Sequence, residues 1–134
     1  MLRRALLLGC LTLPAALAAQ ARPHPGDVAH TQLVLGLKAE LRRLAALQRE
    51  RYAATSAWAG TAGDLHFDPG PDRRVRVRML PGRGWAATLS SDEEPSLTCG
   101  IYEGAPALAP NGAVIEVRVP ACWRPLGDGT YSSE

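Results

Sequence analysis

The chain has no long hydrophobic run. Its apolar stretch from Ala5 to Leu13 falls short of the roughly 20 residues that a membrane-spanning helix needs, so no retained transmembrane segment is expected. Lysine is almost missing: Lys38 is the only one, on a helical surface, which argues against Schiff-base chemistry. His24, His30 and His66 are scattered and form neither HxxxH nor HExxH, so no metal site is expected. Ser56, Ser90, Ser91 and Ser96 lack the GxSxG setting of a hydrolase nucleophile, and no GxGxxG or Walker loop offers a phosphate cradle. The chain reads as non-enzymatic, with no cofactor.

What is present begins with a leader. Arg3 and Arg4 form a positive end, Ala5 to Leu13 is the apolar middle, and Pro14 breaks it. Ala16, Leu17 and Ala18, then Ala19, Gln20 and Ala21, place small residues where a signal peptidase reads. Residues 1–21 are therefore expected to be a cleavable secretory signal, cut after Ala18 or Ala21, giving a periplasmic or secreted bacterial protein. Leu7, Leu8, Gly9 and Cys10 also resemble a lipoprotein processing site, which leaves soluble against lipid-anchored open.

Cleavage changes the charge. The full chain has 15 Lys+Arg and 13 Asp+Glu, and losing Arg3 and Arg4 leaves 13 of each. A neutral mature chain calls for neither nucleic acid nor an anionic membrane as partner. It also loses Cys10, leaving Cys99 and Cys122. An even pair in an exported chain, with no CxxC spacing, reads as a disulfide. Such a bridge contributes about 3 kcal/mol in the chain-entropy model.

Residues 22–30 hold Pro23, Pro25 and Gly26 and read as a flexible N-terminus, with Asp27 or Thr31 as a helix cap. From about Val28 to Ala54, Leu33, Leu37, Leu41, Leu44, Leu47 or Gln48, and Tyr52 recur at helical spacing. Lys38, Glu40, Arg42, Arg43, Arg49 and Glu50 fall largely on the other side. Thr55 to Pro71 is a loop with Trp58, Leu65 and Phe67 as anchors. Four strands are expected around Val75–Met79, Trp85–Leu89, Leu97–Ile101 and Ile115–Val119, each alternating apolar and polar residues. Residues 124–134 read as a frayed tail. The predicted fold is α+β: an N-terminal amphipathic helix on a four-stranded antiparallel meander, one face on the helix and one in water.

Leu37 to Leu41, Leu44 to Gln48 and Tyr52, then Leu65 to Phe67, Val75 and Val77, Gly84, Trp85 and Ala87, and Thr98, Cys99 and Ile101 together resemble the globular half of bacterial type IV pilins and type II secretion pseudopilins. The resemblance covers residues 31–123. It implies a pilin-like head whose partners are pilin or secretion-system proteins. The chain departs from the family in lacking the prepilin leader and the hydrophobic helix that holds filaments together, so the family's usual assembly is not expected. A stand-alone secreted or periplasmic module binding a small ligand or glycan is the alternative.

Arg74, Arg76 and Arg78 share one strand face and are the candidate interaction residues; a plain solvated face, opposite Glu116 and offset by Asp92–Glu94, is the favoured reading of the same residues, because runs of charge usually face water. Asp64, Asp68 and Asp72 recur every four residues, but the spacing matches no calcium loop and Pro69 and Pro71 stiffen the backbone.

Overall fold

The computed structural model describes residues 24–110 and 116–134. The leader, with Cys10 and both cleavage positions, lies outside these residues, as do Arg22, Pro23, Val114 and Ile115.

Helix α1 spans Pro25–Thr55. It starts before the expected position because Pro25 occupies the first turn, where a missing N–H costs nothing and the fixed φ suits the helix. The cap is His24 rather than Asp27 or Thr31: its extended backbone turns the chain, and Nδ1 accepts from the Gly26 N–H at 3.2 Å. The Thr31 hydroxyl instead bonds back to the Asp27 carbonyl at 2.8 Å. At the far end Ser56 adopts a left-handed conformation, φ 56°, and its N–H closes on the Tyr52 carbonyl.

Five strands follow: β1 (Arg73–Leu80), β2 (Gly84–Ser91), β3 (Thr98–Gly104), β4 (Ala121–Pro125) and β5 (Tyr131–Ser133). They form one antiparallel sheet in chain order. The expected alternation holds in the first three. Val75, Val77, Trp85, Ala87, Leu89, Cys99 and Ile101 pack with Leu33, Leu37, Leu41 and Leu44 of α1. The disulfide joins Cys99 to Cys122, which face each other across β3 and β4.

The fourth strand is displaced and a fifth is added. Residues 116–119 form a bend and turn, not a strand. Arg118 takes φ 68°, a left-handed conformation that a strand excludes. Strand β4 begins just beyond Pro120, where the disulfide sets the register. The expected frayed tail contains β5, returned by a turn in which Asp128 accepts from the Thr130 N–H at 3.0 Å and Gly129 takes φ 85°.

The second sheet face is not simply in water. Ala86, Tyr102, Leu108 and Trp123 form a small outer core, covered by the turn at Pro106–Leu108. The Trp123 ring lies so close over Gly100 that a Cβ there would meet it at 2.9 Å.

The loop after α1 is tied down by polar contacts as well as apolar ones. Leu65 and Phe67 are buried, with the Arg43 guanidinium 4.3 Å from the Phe67 ring centroid. Gln48, fully buried, accepts from the Ala59 N–H at 2.8 Å and donates to the Ala59 carbonyl at 3.0 Å. One side chain thereby satisfies both backbone groups of a buried loop residue.

Candidate functional site

A cleft of about 520 Å³ opens where α1 ends. The left-handed turn at Ser56 brings the chain back, so that Trp58 stacks on Tyr52 with ring centroids 4.2 Å apart and planes 20° from parallel. Trp58 in turn leans on buried Trp85, at 6.4 Å, so three rings run from surface to core with Tyr52 outermost and 44% exposed. Met79 and the β1–β2 turn at Pro81–Gly84 form the facing wall. The end of β3 contributes Glu103 and Gly104, and Arg118 reaches in from the third side.

Two glycines make this end of the sheet. Gly84 and Gly104 pair across β2 and β3 with φ of 121° and 108°. A Cβ on Gly84 would meet the Glu103 carbonyl oxygen at 1.9 Å, and one on Gly104 the Arg83 carbonyl oxygen, in the turn just before β2, at 2.0 Å. No other residue fits without moving the strands apart.

Glu103 is the polar centre of the cleft. It continues the inward alternation of Cys99 and Ile101, and only 7% of the residue is exposed. Arg118 donates from Nε to Oε1 at 2.9 Å, with Nη2 at 2.8 Å from the same oxygen. The left-handed backbone of Arg118 is held by its N–H to the Tyr102 carbonyl at 2.8 Å. Among the described residues neither Glu103 Oε2 nor the indole Nε1 of Trp85, its cross-strand partner, has a hydrogen-bond partner. Leaving such a buried group unmatched costs about 1–3 kcal/mol, more when it is charged. The cleft thus offers an aromatic surface, a wall carboxylate whose buried second oxygen has no hydrogen-bond partner among the described residues, and two arginines, Arg83 and Arg118.

The residues singled out in the sequence lie elsewhere. Arg74, Arg76 and Arg78 are exposed on the outer face of β1. They do not act as one group. Arg74 pairs with Asp92, and Arg78 donates to the Ala107 and Leu108 carbonyls at 3.3 Å, holding the turn over the outer core. Arg76 sits between two shallow depressions shared with Thr88. Glu116 is not their cross-strand partner, because β1 pairs with β2 and lies at the sheet edge. Asp64 and Asp68 serve local turns: Asp64 and Thr61 bond reciprocally, and Asp68 accepts from the Gly70 N–H. The Thr61 hydroxyl holds the Asp64 carboxyl below its ordinary range.

Sequence reasoning missed Glu103. The signal was its parity: it is the acidic residue at the core-facing position of a strand whose other inward residues are apolar.

A second polar cluster lies toward the other end of α1. His30 Nδ1 stands 2.9 Å from Glu94 and Nε2 3.2 Å from Glu134. Arg124 pairs with Glu94 and approaches His30 Nδ1 at 2.8 Å. A protonated ring donates to both carboxylates; a neutral one keeps Nε2–H for Glu134 and accepts from Arg124 at Nδ1. The hydrogen bond to Glu94 raises the His30 pKa above its ordinary value; partial burial opposes the shift, and Glu134 reinforces it.

No family model, curated protein or solved structure matches this chain.

Proposed function

We propose that the chain is an exported, non-enzymatic pilin-like domain that acts through protein–protein contact, as an accessory to a type IV pilus or type II secretion apparatus in the periplasm or outside the cell. The observation that carries this reading is the order of its parts: one long helix, an anchored loop, then an antiparallel meander closed by a disulfide. That order agrees with what the pilin resemblance implies for residues 31–123. The disulfide fits an oxidising compartment, and no helix among the described residues is long and apolar enough to cross a membrane.

Two surfaces suit a partner. On α1, Leu35 is 53% exposed on the side away from the sheet. At the sheet edge, β1 presents eight residues of backbone that pair with β2 on one side. Leu41 is unsuitable as a probe, because it is fully buried and Leu41→Arg would unfold the domain. The test is in-cell photo-crosslinking from position 35 and from position 76, in cells carrying a pilus or type II system. A crosslink to a pilin or pseudopilin subunit from either position supports the reading. Export without any such crosslink from both positions removes it.

A further inference from the structure

We infer that the cleft between the Tyr52–Trp58 stack and Glu103 is a binding site for a neutral polyhydroxylated ring, a mono- or disaccharide unit. This goes beyond protein contact and does not depend on it.

Size sets the first limit. About 520 Å³ suits a small molecule or one or two sugar rings. The walls set the chemistry. Tyr52 offers an exposed ring at the mouth, backed by Trp58, and the C–H face of a sugar packs on such a surface. Glu103 supplies the second, independent observation: a carboxylate nine-tenths buried whose Oε2 has no partner among the described residues. That oxygen needs a donor.

Charge then narrows the donor. Arg83 and Arg118 line the same cleft and outnumber the single carboxylate, so a cationic ligand meets net repulsion. An anionic ligand would lie against the Glu103 carboxylate in the cleft wall, one oxygen of which has no donor on it among the described residues. A neutral hydroxyl group satisfies both sides. It donates to Glu103 and accepts from a guanidinium, and a ring bearing several hydroxyls does so while its apolar face rests on Tyr52. The left-handed backbone at Ser56 and Arg118, and the Gly84–Gly104 pair, hold these groups in place.

The test uses saturation-transfer NMR and tryptophan fluorescence on the purified exported chain, with maltose, cellobiose, chitobiose and lactose as probes. At least one should bind and perturb the fluorescence of the Trp58 stack. Tyr52→Ala and Glu103→Gln should each weaken that binding about tenfold or more. Tyr52 is exposed, so Tyr52→Ala keeps the fold and makes the result readable even if Glu103→Gln is destabilised. No binding by any of the four at concentrations up to about 20 mM overturns the proposal. So does binding that survives both substitutions, or tighter binding of inorganic phosphate or choline than of every saccharide.

Discussion

The two ends of α1 use the same kinds of side chain to opposite effect. Toward the N-terminal end, His30 meets Glu94, Glu134 and Arg124, and each charged group has a partner of opposite sign. The cluster ties helix, β2–β3 loop, β4 and the last residue together. At the C-terminal end a carboxylate and an arginine also pair, but Glu103, in the wall of a cleft beside an aromatic stack, keeps one buried oxygen without a hydrogen bond among the described residues. One end is a clasp; the other lines a cleft. Arginine–carboxylate pairs alone do not distinguish a clasp from a site. Each end leaves a buried polar atom without a hydrogen bond among the described residues. What separates them is its setting: Arg124 Nε in the clasp stands 3.7 Å from Glu134 Oε1, whereas Glu103 belongs to the wall of a cleft beside an aromatic stack.

The comparison breaks most completely at the glycine pair. Gly84→Val places a branched side chain where even a Cβ meets the Glu103 carbonyl oxygen at 1.9 Å, at a φ that such residues avoid. We expect loss of more than about 3 kcal/mol, with the β2–β3 end opening first. Thermal unfolding followed by circular dichroism checks this. A variant within a degree or two of the parent would mean that the strands do not approach so closely.

Gln48→Leu should come next. It leaves the Ala59 N–H and carbonyl without their shared partner in a buried setting, a loss of about 2–4 kcal/mol. Because Ala59 follows Trp58, the same change should loosen the Tyr52–Trp58 stack and alter near-ultraviolet circular dichroism. Arg43→Ala, which removes a contact on the loop's outer side, should lower stability less and leave the stack intact. Equal effects on the stack would show that Gln48 has no special role at the open end.

Much of this architecture was legible from periodicity. The stripe Leu33, Leu37, Leu41 and Leu44 and the alternation through β1, β2 and β3 predict the helix, three strands and the face that packs. The bridge was legible from cysteine arithmetic. The fourth strand was not, because Val117 and Val119 alternate like strand residues while Arg118 adopts a turn conformation that its side chain does not signal. Strand β5 is three residues long and follows Gly127 and Gly129, which local pattern reads as loop. The cleft was hidden for a different reason. Its residues come from the helix end, two turns and the end of a strand, and no spacing along the chain links Tyr52, Glu103 and Arg118. The visible charge pattern, the arginines of β1, drew attention to side chains that mostly serve turns and solvent.

The clasp makes a pH prediction. The folded pKa of His30 lies above its ordinary 6.5. A raised histidine contributes its stability fully below the unfolded pKa, and that contribution fades as pH rises through the folded value. Stability should therefore fall as pH rises above about 6.5, until His30 is neutral. His30→Gln should flatten that part of the profile, as measured by urea unfolding across the range. A slope unchanged in His30→Gln would assign the pH dependence to other groups and leave the clasp without its switch.

The smallest effect is expected on β1, where two arginines sharpen the contrast between paired and merely charged. The Arg74–Asp92 pair is largely in water, with side-chain exposures of 75% and 50%. Water and salt screen such a pair, so Arg74→Ala should change stability by less than about 1 kcal/mol. Arg78 makes no ion pair in the described residues, yet its guanidinium caps two carbonyls of the turn that covers Leu108 and Trp123. Arg78→Ala should therefore be the more harmful of the two, and its effect should persist in high salt, whereas that of Arg74→Ala should vanish. Parallel unfolding curves at low and high salt decide it. The reverse order would mean that the charge of the strip, rather than the carbonyls it holds, stabilises this edge.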